Sequence, residues 1–292
     1  MTNPKFGSGR LHADNVTLRY DELTISRDLS VAVPDGSFTV IVGPNACGKS
    51  TLLRALSRLL VPAAGQVILD GRSIADLAAK DVARRLSLLP QASIAPEGIT
   101  VADLVARGRY PHQSFFRQWS KADEEAVIAA MEATRVTELS GRLVDELSGG
   151  QRQRVWIAMV LAQETPILLL DEPTTYLDIA HQIELMDLLA DLNGQGRTVV
   201  TVLHDLNHAC RYASHLIAMK GGDIVAEGRP SAIVTERLVE DVFGLSSVII
   251  PDPVTNTPLI VPKGRQALDA AAASQVVRQY KSRRPGKEEH RD

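Results

Sequence analysis

Gly43-Pro44-Asn45-Ala46-Cys47-Gly48-Lys49-Ser50-Thr51 follows an apolar run, Phe38–Val42, and precedes Leu52-Leu53-Arg54-Ala55-Leu56. The run reads as a buried strand and the second stretch as a helix. The pattern G-x-x-x-x-G-K-[ST] is met by Gly43, Gly48, Lys49 and Ser50 in a strand–loop–helix setting. A loop that wraps phosphates needs inward-pointing backbone N–H groups, which side chains would obstruct. Glycines therefore belong at its bends, and the helix opening behind Gly48 turns its positive end on the anion. Lys49 adds a point charge for the outer phosphates. The Ser50 hydroxyl is a hard oxygen ligand suited to Mg²⁺.

Outward from this loop, the 292 residues are 45% hydrophobic, enough for a full core in one large domain or two small ones. A net charge of -3 carries no electrostatic footprint for nucleic acid. No stretch approaches the roughly 18 apolar residues that span a bilayer, and Met1–Lys5 leads into no apolar segment of a secretory signal. Cys47 and Cys210 do not make a disulfide framework, which fits a reducing compartment. Any service to a membrane is expected from its aqueous side.

The periodicity predicts antiparallel strands over Leu11–Tyr20 and Leu23–Val33, and a helix over Ser50–Leu60 stopped by Pro62. Short strands follow over Gln66–Leu69 and Leu86–Leu89, the latter ending at Pro90-Gln91. A different stretch comes next. Thr100, with Asp103 in the reciprocal capping position, opens a helix over Val101–Arg107 that Gly108 ends. Ser120, with Asp123, opens another to Thr134. Helices without a clear strand predict an inserted helical subdomain over about residues 92–165.

Beyond it, Ser148 begins a helix to about Ala162. Pro166–Leu170 is an unbroken apolar strand. A helix over Ile179–Leu192 breaks at Asn193-Gly194, and Thr198–Leu203 is a β-branched strand. Leu206–Tyr212 is a short helix, and His215–Met219 with Asp223–Ala226 forms a hairpin. Strands alternating with helices predict an α/β fold: a mainly parallel sheet, an N-terminal antiparallel β-subdomain and the helical insertion. This unit is expected to run to about residue 265. Ala267–Val277 is helix-prone, and Lys281–Asp292 is charged and expected to be disordered.

The strand Ile167–Leu170 delivers Asp171 and Glu172 at the edge where parallel sheets place active sites. Asp171 suits the Mg²⁺ shell through water. Glu172, beside it, can orient or deprotonate a water attacking a terminal phosphate. Ser148-Gly149-Gly150-Gln151 starts a helix behind a capping serine, which makes a second set of outward N–H groups with a dipole behind them. His204 and His208 are spaced i, i+4, but Asp205 stands where a metalloprotease helix carries glutamate. His204 ends a core strand and is placed to reach phosphate.

With the phosphate loop, Gln91, Leu147–Gln151, Ile167–Glu172, Leu177-Asp178 and His204 in this order, the chain resembles the nucleotide-binding subunit of an ABC transporter. The resemblance implies an ATP hydrolase working with Mg²⁺ as a head-to-tail homodimer. One subunit's Lys49 loop holds each ATP, and the other's Ser148-Gly149-Gly150 closes over its γ-phosphate. It implies that Gln91 contacts Mg²⁺ and the attacking water, that Asp178 crosses the dimer interface, and that His204 bridges the γ-phosphate and Glu172. Tyr20 stands at the spacing of the aromatic that stacks on adenine, or else is a strand-edge tyrosine. Base–aromatic stacking is worth about 1–3 kcal/mol.

Two departures from the family matter. Ala46 replaces a usual third glycine, and Cys47 sits at a helix N-terminus, where its pKa is expected to fall and a thiol reagent to inactivate the enzyme. Arg107–Gln113 and Thr174–Gln182 resemble the ATPases of ferric-siderophore importers, with haem and cobalamin importers as close alternatives. That implies an integral-membrane permease, an indirect link to a substrate-binding protein, no nucleic-acid partner, and a peripheral place on the cytoplasmic face of the inner membrane. Tyr110 and Phe115-Phe116 offer anchors for the permease, with Arg107 and Arg109 as a charged rim. A soluble ABC ATPase of translation or repair is the rival from another class. The single cassette and the lack of long coiled coils between Lys49 and Ser148 weigh against it.

Overall fold

The computed structural model describes residues 9–113 and 119–264. The expected anchors Phe115-Phe116 and the helix-prone and charged tail lie outside the described residues.

The chain opens with β1 (Leu11–Tyr20) and β2 (Leu23–Val33), paired antiparallel. Register shifts between Ala13 and Arg19 account for their broken alternation. β3 (Phe38–Val42) is buried at all five positions and runs into α1 (Lys49–Leu56). β4 (Ala64–Leu69), β5 (Arg72–Ser73), α2 (Ala79–Ala83) and β6 (Leu86–Leu89) follow. The helical stretch contains α3 (Val101–Ala106), α4 (Lys121–Ala133) and α5 (Gly149–Ala162). Then come β7 (Ile167–Asp171), α6 (Ile179–Gly194), β8 (Thr198–Val202) and α7 (Leu206–Tyr212). The described chain closes with β9 (His215–Lys220), β10 (Asp223–Gly228), α8 (Pro230–Ile233), α9 (Glu236–Phe243), β11 (Ser247–Pro251) and β12 (Pro258–Pro262).

One six-stranded sheet runs in the order β10-β9-β3-β8-β7-β6. It is parallel throughout except for the β9–β10 hairpin. A four-stranded antiparallel sheet, β2-β1-β4-β5, makes a second layer. The pleat sends alternate residues to opposite faces. Ile41, Leu169, Val200 and Val202 join α1 and the antiparallel sheet in one core. Val40, Val42, Leu168, Leu170 and Val199 join α5, α6 and the elements after β8 in the other. The expected α/β architecture is therefore present, with the phosphate loop leaving the sheet at its centre.

Several local expectations need correction. The first helix ends at Leu56, not Leu60, because Arg58 takes a left-handed φ of 66° and reverses the chain before Pro62. β4 starts at Ala64 rather than Gln66, and α6 runs through Asn193 to Gly194. At Thr100, Asp103 N–H donates to the hydroxyl (3.2 Å). The Asp103 carboxylate accepts from the Thr100 hydroxyl (2.7 Å) instead of from its backbone N–H, so the reciprocal box is only half made. Ser120 and Asp123 do make the full box, at 2.9 and 3.3 Å.

Gly108 does not stop α3. The chain continues as a 3₁₀ helix over Arg107–His112. A Cβ at Gly108 would lie 2.2 Å from the Met159 carbonyl oxygen. The missing side chain lets this segment touch the backbone of α5. Arg109 is no surface rim either. It is 5% exposed and donates to Asp123 Oδ1 (2.8 Å), the Ala162 carbonyl (2.8 Å) and Glu164 Oε2 (2.7 Å), tying this segment to α4 and the end of α5.

Candidate active site

Gly43 follows β3 at φ 156°, and a Cβ there would lie 2.3 Å from the Met219 carbonyl oxygen and 2.7 Å from Cys47 Sγ. Only glycine lets the loop leave the sheet this close to β9. Gly48 caps α1 at φ 102°. Ala46 takes φ 59°, the left-handed conformation for which glycine is best suited. The alanine therefore leaves the loop's shape intact at a conformational cost of about 1–2 kcal/mol.

Lys49 is 5% exposed, and its Nζ donates to the carbonyls of Gly43 (2.9 Å) and Pro44 (2.8 Å). The loop thus holds the ammonium on its own carbonyls. Ser50 Oγ donates to Asp171 Oδ1 at 2.9 Å. Burial pushes the Asp171 carboxyl pKa up and the Glu172 charge adds to this, while the Ser50 hydrogen bond opposes it.

β6, β7 and β8 lie side by side and in parallel, so the residues after them meet at one edge. β6 leads to Gln91, β7 ends at Asp171 and delivers Glu172, and β8 leads to His204. Glu172, at φ 53°, accepts from Gln91 Nε2 on Oε2 (2.9 Å), and its Oε1 lies 2.7 Å from His204 Nε2. Asn45 through Thr51, Gln91, Glu172 and His204 line one cavity of about 410 Å³. Ile25 of β2 lines it too, and no motif in the sequence marks that residue.

A phosphate-bound Mg²⁺ fits this set. Ser50 Oγ and Asp171 Oδ1 are hard oxygens already in contact, beside a cradle made for phosphate. Among the described residues no three His, Cys, Asp or Glu side chains group as a metal cage. That is the arrangement Mg²⁺ tolerates when waters and phosphates complete its shell.

Cys47 departs from expectation. It is 4% exposed, and burial raises its pKa more than Lys49 and the local backbone lower it. The thiol is a filler packed behind Gly43.

Tyr20 does not line the cavity. It ends β1, is 39% exposed, and its hydroxyl accepts from Arg54 Nη1 at 3.2 Å. The Ser148–Gln151 turn also lies outside the cavity lining. Ser148 and Gln151 make a full capping box at 3.1 and 3.3 Å, leaving Gly149 and Gly150 bare at the start of α5. Added Cβ atoms at these glycines would lie 3.5 Å from Tyr176 Cβ and 3.4 Å from the Tyr176 carbonyl oxygen, so this turn packs on the segment leading to Asp178. Asp178 caps α6 through His181 N–H (2.9 Å) and meets His181 Nδ1 at 2.7 Å, contacts that lower its pKa. The loop behind β3 and the Ser148–Gln151 turn thus do not share a cavity.

The family model described as ABC transporter matches residues 26–175. The ferric enterobactin transport ATP-binding protein FepC of Escherichia coli (strain K12) is 60% identical over 263 residues, covering 90% of this chain and 97% of FepC. The chain belongs to the ABC transporter family.

Within this family, the probable siderophore transport system ATP-binding protein YusV of Bacillus subtilis (strain 168) is 54% identical, covering 89% of this chain and 94% of its own. Among solved structures, an inward-facing putative metal-chelate type ABC transporter superposes with a TM-score of 0.75 at 27% identity, covering 90% of this chain and all (100%) of the matched one. The dimeric ABC transporter cassette MJ0796 gives 0.69 at 27% identity, covering 75% and 98%. The protein is an ABC ATPase. No helix among the described residues is long and apolar enough to cross a membrane.

Proposed function

We propose that this ABC ATPase energises import of ferric siderophores, acting as a head-to-tail homodimer beneath an integral-membrane permease at the cytoplasmic face. The observation that carries the reading is Glu172, held between Gln91 and His204 in the cavity that contains Lys49. Residues 1–265 form the ATP-binding domain, with 92–165 as its helical insertion.

In this reading Lys49 and the loop N–H groups bind the triphosphate. Ser50, Asp171 and Gln91 hold Mg²⁺, which when bound neutralises phosphate charge. Glu172 orients the attacking water and takes its proton, and His204 fixes Glu172 while reaching toward the γ-phosphate. The partner's Ser148-Gly149-Gly150 turn completes the cradle, and Asp178 lies at the shared interface. Two separated cradles in one chain support the dimer. Tyr20 stacks on the adenine; its hairpin also sends Ile25 to the cavity.

The permease docks over Tyr110, which is 64% exposed with Lys80 Nζ 4.8 Å from its ring centroid, and over exposed Arg107. The ferric-siderophore cargo follows the relatives named above.

The test is uptake of iron supplied as ferric siderophore, haem or another chelate in cells lacking this chain. Loss confined to the siderophore, restored by the wild-type chain and not by Glu172→Gln, is expected. Undiminished siderophore uptake removes the cargo assignment.

A further inference from the structure

His204 is about half exposed and sits in the loop between β8 and α7. β8 is fixed inside the parallel sheet. The loop's other end is only as firm as α7, a helix of seven residues.

That helix is gripped from outside the sheet. Asn207 Oδ1 accepts from Ile260 N–H at 2.7 Å, and its Nδ2 donates to the Ile260 carbonyl at 3.3 Å. One side chain thus takes both backbone polar groups of one residue of β12. One turn on, Arg211 Nη2 donates to Asp252 Oδ2 at 2.6 Å. The Asp252 side chain is 5% exposed, and its other oxygen accepts from Val254 and Thr255 N–H (2.8 and 3.2 Å), organising the turn between β11 and β12. Residues at i and i+4 share a helix face, so both grips come from one side.

Among the described residues the hairpin β11–β12 pairs with no other strand. A lone hairpin is marginal in water. It is held here by seating Ile260, 4% exposed, in the core that also contains Ala209 and Cys210 of α7. Apolar packing would seat it. The directional bonds of Asn207 and Arg211 additionally fix its register along α7.

Asp205 caps this helix by accepting Asn207 and His208 N–H at 2.7 and 2.9 Å, and His204 immediately precedes it. The path from the hairpin to the imidazole is therefore Ile260, Asn207, Asp205, His204.

We infer that the C-terminal hairpin is a clasp that positions His204 against Glu172, with Asn207 and Arg211 as positioning residues for hydrolysis. This rests on the reading of His204 as acting in that step.

The test is steady-state ATPase of the full chain carrying Asn207→Ala, alone and with His204→Ala. Melting temperatures and nucleotide binding are measured alongside. Asn207→Ala alone is expected to lower kcat roughly ten- to a hundredfold, as a small misplacement of a reacting group does, with KM for MgATP little changed. In the His204→Ala background it should change kcat by less than about twofold, because the two act through one group. Asn207→Asp keeps the Ile260 N–H bond and loses the donation, so its loss should be smaller; it also serves if the alanine variant does not fold.

Equal fold losses in both backgrounds, or KM rising with kcat unchanged, overturn the clasp. If His204→Ala alone leaves kcat intact, the assigned role of His204 fails first and the clasp with it.

Discussion

His204 Nε2 lies 2.7 Å from Glu172 Oε1, while Gln91 Nε2 donates to the second oxygen of the same carboxylate. Three loops from three adjacent parallel strands thus converge on one acid that is 11% exposed. Glu172→Gln preserves the volume and removes the base. It is expected to bind ATP normally and to lower phosphate release more than a hundredfold, about 3–4 kcal/mol of transition-state stabilisation. Nucleotide retention on gel filtration should show ATP trapped in a dimer. Turnover near that of the wild type would take Glu172 out of the chemistry.

Arg109 shows how a charge that reads as surface becomes internal. It meets Asp123, which is buried, and Glu164, which is half exposed, so most of the energy lies in the Asp123 contact. The Asp123 carboxyl is held below its ordinary pKa by Ser120 and by this guanidinium. Arg109→Ala leaves that carboxylate buried without its cation and should cost about 3–5 kcal/mol of stability. Urea unfolding with an unchanged m-value is the measurement, and a loss below 1 kcal/mol, well short of that range, would return Arg109 to the surface.

The edge where Gln91, Glu172 and His204 meet was legible because each of its parts is local: a loop or an acid directly after an apolar strand, at the strand's C-terminal end. Strand type and the mainly parallel character of the sheet followed from the same pattern, but the strand order did not. What stayed hidden depends on distant partners. Gly108 answers to Met159, Arg109 to Glu164, and Ile25 enters the cavity from another sheet. No short-range period marks such pairs. Cys47 is the reverse case, where a local rule pointed the right way for helix N-termini and burial outweighed it.

That balance at Cys47 is measurable. Cys47 and Cys210 are both buried, and Cys210 is pushed up to about 12 by burial. Neither offers an accessible thiolate, so alkylation of the native chain should be slow for both and should become fast on unfolding. Mass spectrometry of iodoacetamide-treated protein reads this directly. Rapid labelling of Cys47 that ATP blocks would restore the reactive-thiol expectation and refute the packed one.

Asp252 ties the C-terminal hairpin to α7, and its carboxyl is held at about 2 against an ordinary 3.8, first by the Arg211 hydrogen bond and then by Val254 N–H. The unfolded chain therefore takes up this proton before the folded one does. Stability from the pair is fully present above the ordinary carboxylate range and is lost as pH falls through it toward the folded value. Asp252→Asn removes the charge at every pH. The variant should melt below the wild type at neutral pH, and the gap should close as pH falls from 3.8 toward about 2. Thermal melts across that window decide the point. A gap that stays constant through it would mean that Asp252 contributes shape and hydrogen bonds to the hairpin turn, and that its charge on Arg211 adds nothing.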